Sequence, residues 1–247
     1  MLTIKNSLLI AAVASLFSAN SAAAFQVIQG EDINNGGLNT RATLNITQQK
    51  EQQFLDLLDA TVGTEEFENV SWTAGSDLDL SFAEAGTASL GGNGEIHNIT
   101  VNDSQIAYDL EQGLYPASGN QYWYTEATPE ANATFNINFS QDIAAFGFYA
   151  YDLGDWGAEL TLKLYSNGQL VDTISNVHTI VTDGTTTGSA IYVGIVGDLQ
   201  EDGTRQTFDR IEFTTTGDDI VNTYHDIFAF DNMTIAIPEQ VITYFQD

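Results

Sequence analysis

From residue 67 onward the chain carries apolar side chains at alternate positions. Phe135, Ile137 and Phe139 alternate with Asn136 and Asn138, and Leu160, Leu162 and Leu164 with Thr161 and Lys163. Ile191, Val193 and Ile195 alternate with Tyr192 and Gly194, and Ile211 and Phe213 flank Glu212. A period of two marks antiparallel strands with one face buried. Asn167-Gly168 separates the runs 160–165 and 170–174 and predicts a two-residue hairpin, because both residues accept positive φ. Further breaks fall at Gly91-Gly92-Asn93-Gly94, Asp183-Gly184 and Asp202-Gly203. Many short strands with turns between them predict an all-β fold, an antiparallel β-sandwich or jelly roll.

The pattern before residue 65 is different. Residues 25–46 are polar and Gly/Asn-rich around Asn34-Asn35-Gly36-Gly37, and read as an N-terminal arm. One short N-terminal helix follows, with Thr47 as N-cap, a stripe of Phe54, Leu57 and Leu58, and Gly63 as its stop. The first 24 residues read as a secretory signal: Lys5, an apolar run over 8–17, and Ala22-Ala23-Ala24 at the cleavage site. That run is too short to span a bilayer, which takes about 20 residues, and no other segment is long and apolar enough. The expected division is a signal peptide 1–24, an arm and helix 25–64, a sandwich domain 65–237 and a tail 238–247. The expected location is secreted, extracellular or at the cell surface.

Charge changes the picture next. The chain holds 34 Asp and Glu against 6 Lys and Arg, a formal charge of −28, and no Cys. Disulfides are excluded, and nucleic acid or an anionic membrane surface would be repelled. Two causes of such acidity remain open: solubility in a saline medium, or carboxylates gathered around a divalent cation.

The stretch 226–235 bears on that choice. Strict alternation places Asp231 with Ile227, Met233 and Ile235, opposite Phe228 and Phe230, so an acid stands in a strand that is apolar on both faces. A carboxylate there needs a cation, hydrogen bonds or an Arg partner. The leader removed, only Arg41, Lys50, Lys163, Arg205 and Arg210 remain as bases. Calcium is therefore the leading expectation for Asp231, with a hydrogen-bonded carboxylate and an Arg pair as alternatives. Glu68 meets Asp231 if the first and last strands are neighbours, and is otherwise a solvated edge acid. Asp226 is a further candidate ligand. Asp152 and Asp155 flank Gly154 in a loop, where they either chelate calcium or form a polar rim turn. Trp156 is a sugar platform or a loop anchor. Tyr122, Trp123 and Tyr124 are candidate glycan-stacking residues, or strand and core aromatics.

Catalytic patterns are missing. His97, His178 and His225 are scattered, and there is no His-Glu-x-x-His run, Gly-x-Ser-x-Gly elbow or phosphate-binding glycine loop. Two-carboxylate glycoside hydrolysis stays open in so acidic a chain.

Several pieces in order resemble a family of exported bacterial proteins common among those with a PEP-CTERM sorting tail. They are Gly63-Thr64-Glu65-Glu66-Phe67-Glu68, then Phe146-Gly147-Phe148-Tyr149 running into Asp152-Leu153-Gly154-Asp155. Leu160-Thr161-Leu162 and Phe228-Ala229-Phe230-Asp231-Asn232-Met233-Thr234-Ile235 follow. The resemblance spans roughly residues 30–241 and implies a jelly-roll, carbohydrate-binding-like sandwich. It also implies a structural calcium between a first-strand Glu and a last-strand Asp, here Glu68 and Asp231. Pro238-Glu239 is similar to the sorting motif, but no apolar helix and no Arg cluster follow it, so release rather than anchoring is expected. The resulting expectation is a non-catalytic extracellular or surface-matrix protein, calcium-stabilised, contacting polysaccharide or itself. A secreted glycan-active hydrolase or lyase and a self-assembling structural subunit are the alternatives.

Overall fold

A computed structural model describes residues 25–33, 41–68, 70–73, 75–127, 132–154, 158–175, 177–179, 188–215 and 226–238. The elements run β1 (Phe25–Asp32), α1 (Ile46–Leu55), β2 (Val62–Glu65), β3 (Leu78–Ser81), β4 (Thr87–Gly92), β5 (Glu95–Asn98) and α2 (Ser104–Glu111). They continue as β6 (Gln121–Ala127), β7 (Ala133–Ile143), β8 (Ala145–Tyr151), β9 (Leu160–Ser166) and β10 (Gln169–Ile174). β11 (Ala190–Gly197), β12 (Phe208–Thr215) and β13 (Asp226–Ala236) complete the described chain.

The strands form two antiparallel sheets packed as a sandwich. One has the order β1-β11-β8-β13-β6-β5, with β2 also paired to β13; the other has the order β10-β9-β12-β7-β4-β3. The residues expected from the alternation fill the space between them. Phe135, Ile137, Phe139, Leu160, Leu162, Leu164, Ile191, Val193, Ile195, Ile211 and Phe213 are all buried in one cluster. Asn167 (φ +50) and Gly168 (φ +75) close the β9–β10 hairpin as expected.

Among the described residues before 65, Phe25–Asp32 and Val62–Glu65 are strands of the seven-stranded sheet. β1 pairs with β11 along its length, and β2 runs across the expected 64/65 boundary to pair with β13. α1 begins one residue before Thr47. Its first amides are capped from outside the helix by Asp32, which accepts from Ile46 N (3.0 Å), Thr47 N (2.9 Å) and Thr47 Oγ1 (2.8 Å). Phe54 is fully buried and packs where β8 and β11 carry Gly147 and Gly194; a Cβ on Gly194 would lie 2.5 Å from the Phe54 ring. The two glycines make the hollow that seats the helix.

A second helix departs from the expectation of one. α2 lies between β5 and β6, and its Asp103 N-cap accepts from Ile106 N at 2.9 Å. Its apolar residues are too few to have broken the period-two reading. Together α1 and the 99–120 segment cover the outer face of the seven-stranded sheet, where Phe54, Leu114, Tyr122, Tyr149, Tyr151 and Tyr192 form a second buried cluster. Among the described residues, no helix or loop cluster of this kind covers the outer face of the six-stranded sheet.

Candidate functional site

β13 is the central strand of the site. On one edge it pairs with β8; on the other it pairs with β6 over 226–230 and with β2 over 233–236. Asp231 and Asn232 fall at the handover, where neither strand provides backbone partners on that edge. A bulge sits at the same point: the register with β8 shifts between Asp231 and Thr234, and Asn232 has φ +47. The extra residue corrects the parity expected for this strand. Met233 and Ile235 join Phe228 and Phe230 in the inter-sheet core, while Asp231 stays with Ile227 and Ala229 on the outer, helix-covered side.

The loop before β6 fills the gap. Asp231 Oδ2 accepts from Ala117 N (2.6 Å) and Ser118 N (3.1 Å), and Ser118 Oγ donates to Asn232 Oδ1 (2.9 Å). Glu68, three residues beyond β2, accepts through Oε1 from Asn120 N (2.5 Å) and Gln121 N (2.8 Å). Gly119 between them has φ +58, and any Cβ there would fall on the Glu68 carboxylate. β2, not the first strand β1, is therefore the neighbour of β13 on this edge, and Glu68 and Asp231 hold the two ends of one loop.

Asp231 is fully buried, and its second oxygen, Oδ1, has no hydrogen-bond partner among the described residues. Burial pushes its carboxyl well above the usual value, the amides of Asn232, Ser118 and Ala117 pull it back, and the nearby charge of Glu66 adds to the push. Arg41 does not reach the carboxylate; its guanidinium donates to the Ala117 carbonyl, on the loop that Asp231 holds. The described residues contain no group of three or more His, Asp or Glu arranged to hold a metal. What they offer a hard cation is one buried carboxylate oxygen awaiting a partner, with backbone carbonyls and water left to complete the shell of 6–8 oxygens that calcium takes.

The other expected ligands stand apart. Asp226 lies five residues up β13, about 17 Å away on an extended strand, and accepts from Ala158 N at 3.2 Å. Asp152, with φ +61, accepts from Gly188 N at 2.7 Å. Both are buried acids that bind backbone amides at a strand end, and Asp226 cannot share an ion with Asp231. Asp155 and Trp156 lie outside the described residues.

Trp123 points into the inter-sheet core and Tyr122 is buried on the helix-covered outer side, so neither ring is presented to solvent. Trp123 is 1% exposed, meeting Trp72 and Phe135 edge-on or tilted, and Tyr122 is fully buried. Tyr124 is half-buried and stacked on His97, with ring centroids 4.2 Å apart.

An aromatic surface that the alternation did not single out lies on the opposite sheet. Across its outer face Tyr165, Arg210, Asn138, Ser89 and Asp79 stand in one cross-strand row. Lys163, Glu212 and Asn136 form the next. The Arg210 guanidinium lies 3.8 Å from the Tyr165 ring centre, and Lys163 pairs with Glu212 at 2.9 Å. Two of the chain's few bases thus stand side by side. A shallow groove beside Asn138 is lined by Asp79, Ser81, Thr87, Ser89 and Ser140. Only strand pairing could have exposed this row, since its members come from five separate strands.

Among the described residues no helix is long and apolar enough to cross a membrane. No family model matches the chain, and no curated protein does. Among solved structures it is similar to the K2 cleaved adhesin domain of the Porphyromonas gingivalis Lys-gingipain, at 14% identity over 72% of this chain and 98% of that one, TM-score 0.40. It is also similar to a cyclase from Fischerella sp. TAU, at 10% identity over 73% and 100% of the two chains, TM-score 0.34. A third is the structure of the CBM32-1 and CBM32-2 domains of Clostridium perfringens ZmpB, at 12% identity over 72% and 41%, TM-score 0.29. Likeness this distant leaves function to be argued from the chain's own residues.

Proposed function

We propose that this chain is an exported, non-catalytic β-sandwich of jelly-roll type that binds neutral glycan across the outer face of its six-stranded sheet, which the described residues leave uncovered. The observation that carries the reading is the asymmetry of the two outer faces. One is sealed by α1 and the 99–120 segment, whereas the other carries in-register rows of hydroxyl, amide and charged side chains beside one aromatic ring. Such rows alternate donors and acceptors, as sugar hydroxyls require, and Tyr165 with Arg210 supplies a flat plate for a pyranose ring. A large excess of negative charge argues against nucleic acid and against an acidic polysaccharide as partner. Export rests on the signal-like residues 1–24, which lie outside the described chain.

Calcium belongs to this proposal as the partner of Asp231 Oδ1. Bound there, it would supply the positive charge that the five bases do not bring to the carboxylate, and so keep the 117–121 loop fixed.

The test is titration of the folded chain with a panel of neutral and uronic-acid polysaccharides by affinity electrophoresis, for the parent and for Tyr165→Ala and Arg210→Ala. Retardation by a neutral glycan, lost in both variants at unchanged melting temperature, supports the proposal. No retardation by any neutral glycan, or retardation that survives both substitutions, overturns it. Reducing-end release measured on the same panel separates binding from hydrolysis.

A further inference from the structure

His97 is one of the few buried titratable groups that neither the loop site nor the sheet face uses. It stands on β5 with only 6% of its surface exposed. Its Nδ1 lies 2.5 Å from Asp109 Oδ2 on α2, and its Nε2 lies 3.1 Å from Glu95 Oε1 on its own strand. A neutral imidazole carries a single N–H, so it can satisfy one of these carboxylates and must turn a lone pair toward the other. With both carboxyls ionised, both contacts are hydrogen bonds only when the ring is a cation with two N–H groups.

Asp109 is the fully buried residue of α2, and its contacts explain how that short helix is held. Besides His97, its carboxylate takes the Tyr122 hydroxyl at 3.4 Å and the Gln105 amide of its own helix at 2.9 Å. Tyr124 lies flat against the imidazole, closing it from the other side. The groups against the ring are Glu95 on β5, Tyr122 and Tyr124 on β6 and Asp109 on α2, with Glu126, Tyr108 and Tyr115 near the two tyrosines. Burial holds the Tyr122 and Tyr124 hydroxyls in their neutral form well past their usual titration. Among the described residues no Lys or Arg forms an ion pair with the cluster. The proton on His97 is therefore its one positive charge.

We propose that protonated His97 is a latch that clamps α2 onto β5 and β6 between two carboxylates, and that loss of its proton releases the helix. α2 leads directly into the 113–121 segment, so release loosens the chain leading to the amides held by Asp231 and Glu68. Burial opposes the charged ring, but the hydrogen bonds and charges of Asp109 and Glu95 outweigh it and hold the His97 pKa above its ordinary 6.5. The sign follows. The latch is at full strength below pH 6.5 and weakens as pH rises through the titration of the closed form.

The test is amide hydrogen exchange over residues 104–114 in the full chain, across pH 6 to 9, corrected for intrinsic rates and referenced to β11. The His97 titration is followed in the same samples by NMR. The latch predicts a His97 midpoint above 6.5, and an opening equilibrium that grows about tenfold for each unit of that excess. In His97→Gln and in Asp109→Asn the pH dependence disappears. A midpoint at or below 6.5, or parent α2 protection that is flat with pH, overturns the proposal. If either variant fails to fold, the parent profile alone decides.

Discussion

Glu68 and Asp231 are 163 positions apart in the chain and hold the same loop, Glu68 by the amides of Asn120 and Gln121 and Asp231 by those of Ala117 and Ser118. The arrangement lets a single loop tie β2, β6 and β13 together at the point where β13 changes partner. Each carboxylate does for the backbone what an adjacent strand does elsewhere.

Glu68→Ala leaves two amides without an acceptor and should cost about 1–3 kcal/mol in urea denaturation. Glu68→Gln keeps a carbonyl acceptor and should cost less than half of that. Gly119→Ala should resemble Glu68→Ala, because its Cβ displaces the same carboxylate. Additive losses in the Glu68→Ala, Gly119→Ala pair would show that the two do not act through one contact.

Asp231 makes stability depend on pH. Its carboxyl titrates in the folded state above the 3.8 of an exposed Asp. The contribution is therefore full below 3.8 and is lost as pH rises through the folded-state titration, since the folded chain binds the proton more tightly. Denaturation of the parent against Asp231→Asn between pH 4 and 8 should show the parent losing ground as pH rises. Calcium should reverse that loss and raise the parent's melting temperature while leaving Asp231→Asn unmoved. Indifference of the parent to both calcium and chelator removes the metal.

Asn232 holds the bulge at φ +47, in a region that Asn tolerates and branched or bulky residues do not. Asn232→Leu should destabilise by about 1–2 kcal/mol. Asn232→Gly should be milder, losing the acceptor for Ser118 Oγ but relieving the backbone. Equal losses in the two variants would place the cost in the side-chain bond rather than in the bulge.

Gly194→Ala pushes a methyl group against Phe54 and should cost about 1–3 kcal/mol through overpacking. Phe54→Ala should cost about 3–5 kcal/mol. In the double variant the glycine change should cost nearly nothing, because the ring it meets is gone. A full additive penalty would show that α1 is not seated by that contact.

Much of the fold was legible in the alternation. The inward positions of β7, β9, β11 and β12 and the Asn167-Gly168 hairpin follow from period two and turn chemistry alone. β1 was hidden because a polar edge strand carries no strong alternation: only Phe25, Ile28 and Asp32 are buried in it. α2 was hidden by its length and by an anchor, Asp109, that is an acid. The face of Met233 and Ile235 was misjudged because one bulge residue reverses every later side chain.

The candidate residues divide in the same way. Asp231 could be singled out from sequence, since a carboxylate between two apolar faces is costly in any fold. Where Tyr122 and Trp123 point could not, because an aromatic strand reads alike whether its rings meet sugar or core. Tyr165 and Arg210 gain their meaning only from lying opposite each other on paired strands.

By itself the sequence determined that the chain makes a cysteine-free, acidic antiparallel β protein with an acid inside its last described strand. These properties depend on residue type and on spacing within a few positions, where local backbone geometry and the cost of exposing apolar surface decide. Tertiary structure alone decided what that acid touches, which sheet face the helices cover and which carboxylates enclose His97. Such contacts join residues far apart in the chain, and strand order, which is set by packing the whole core at once, selects them.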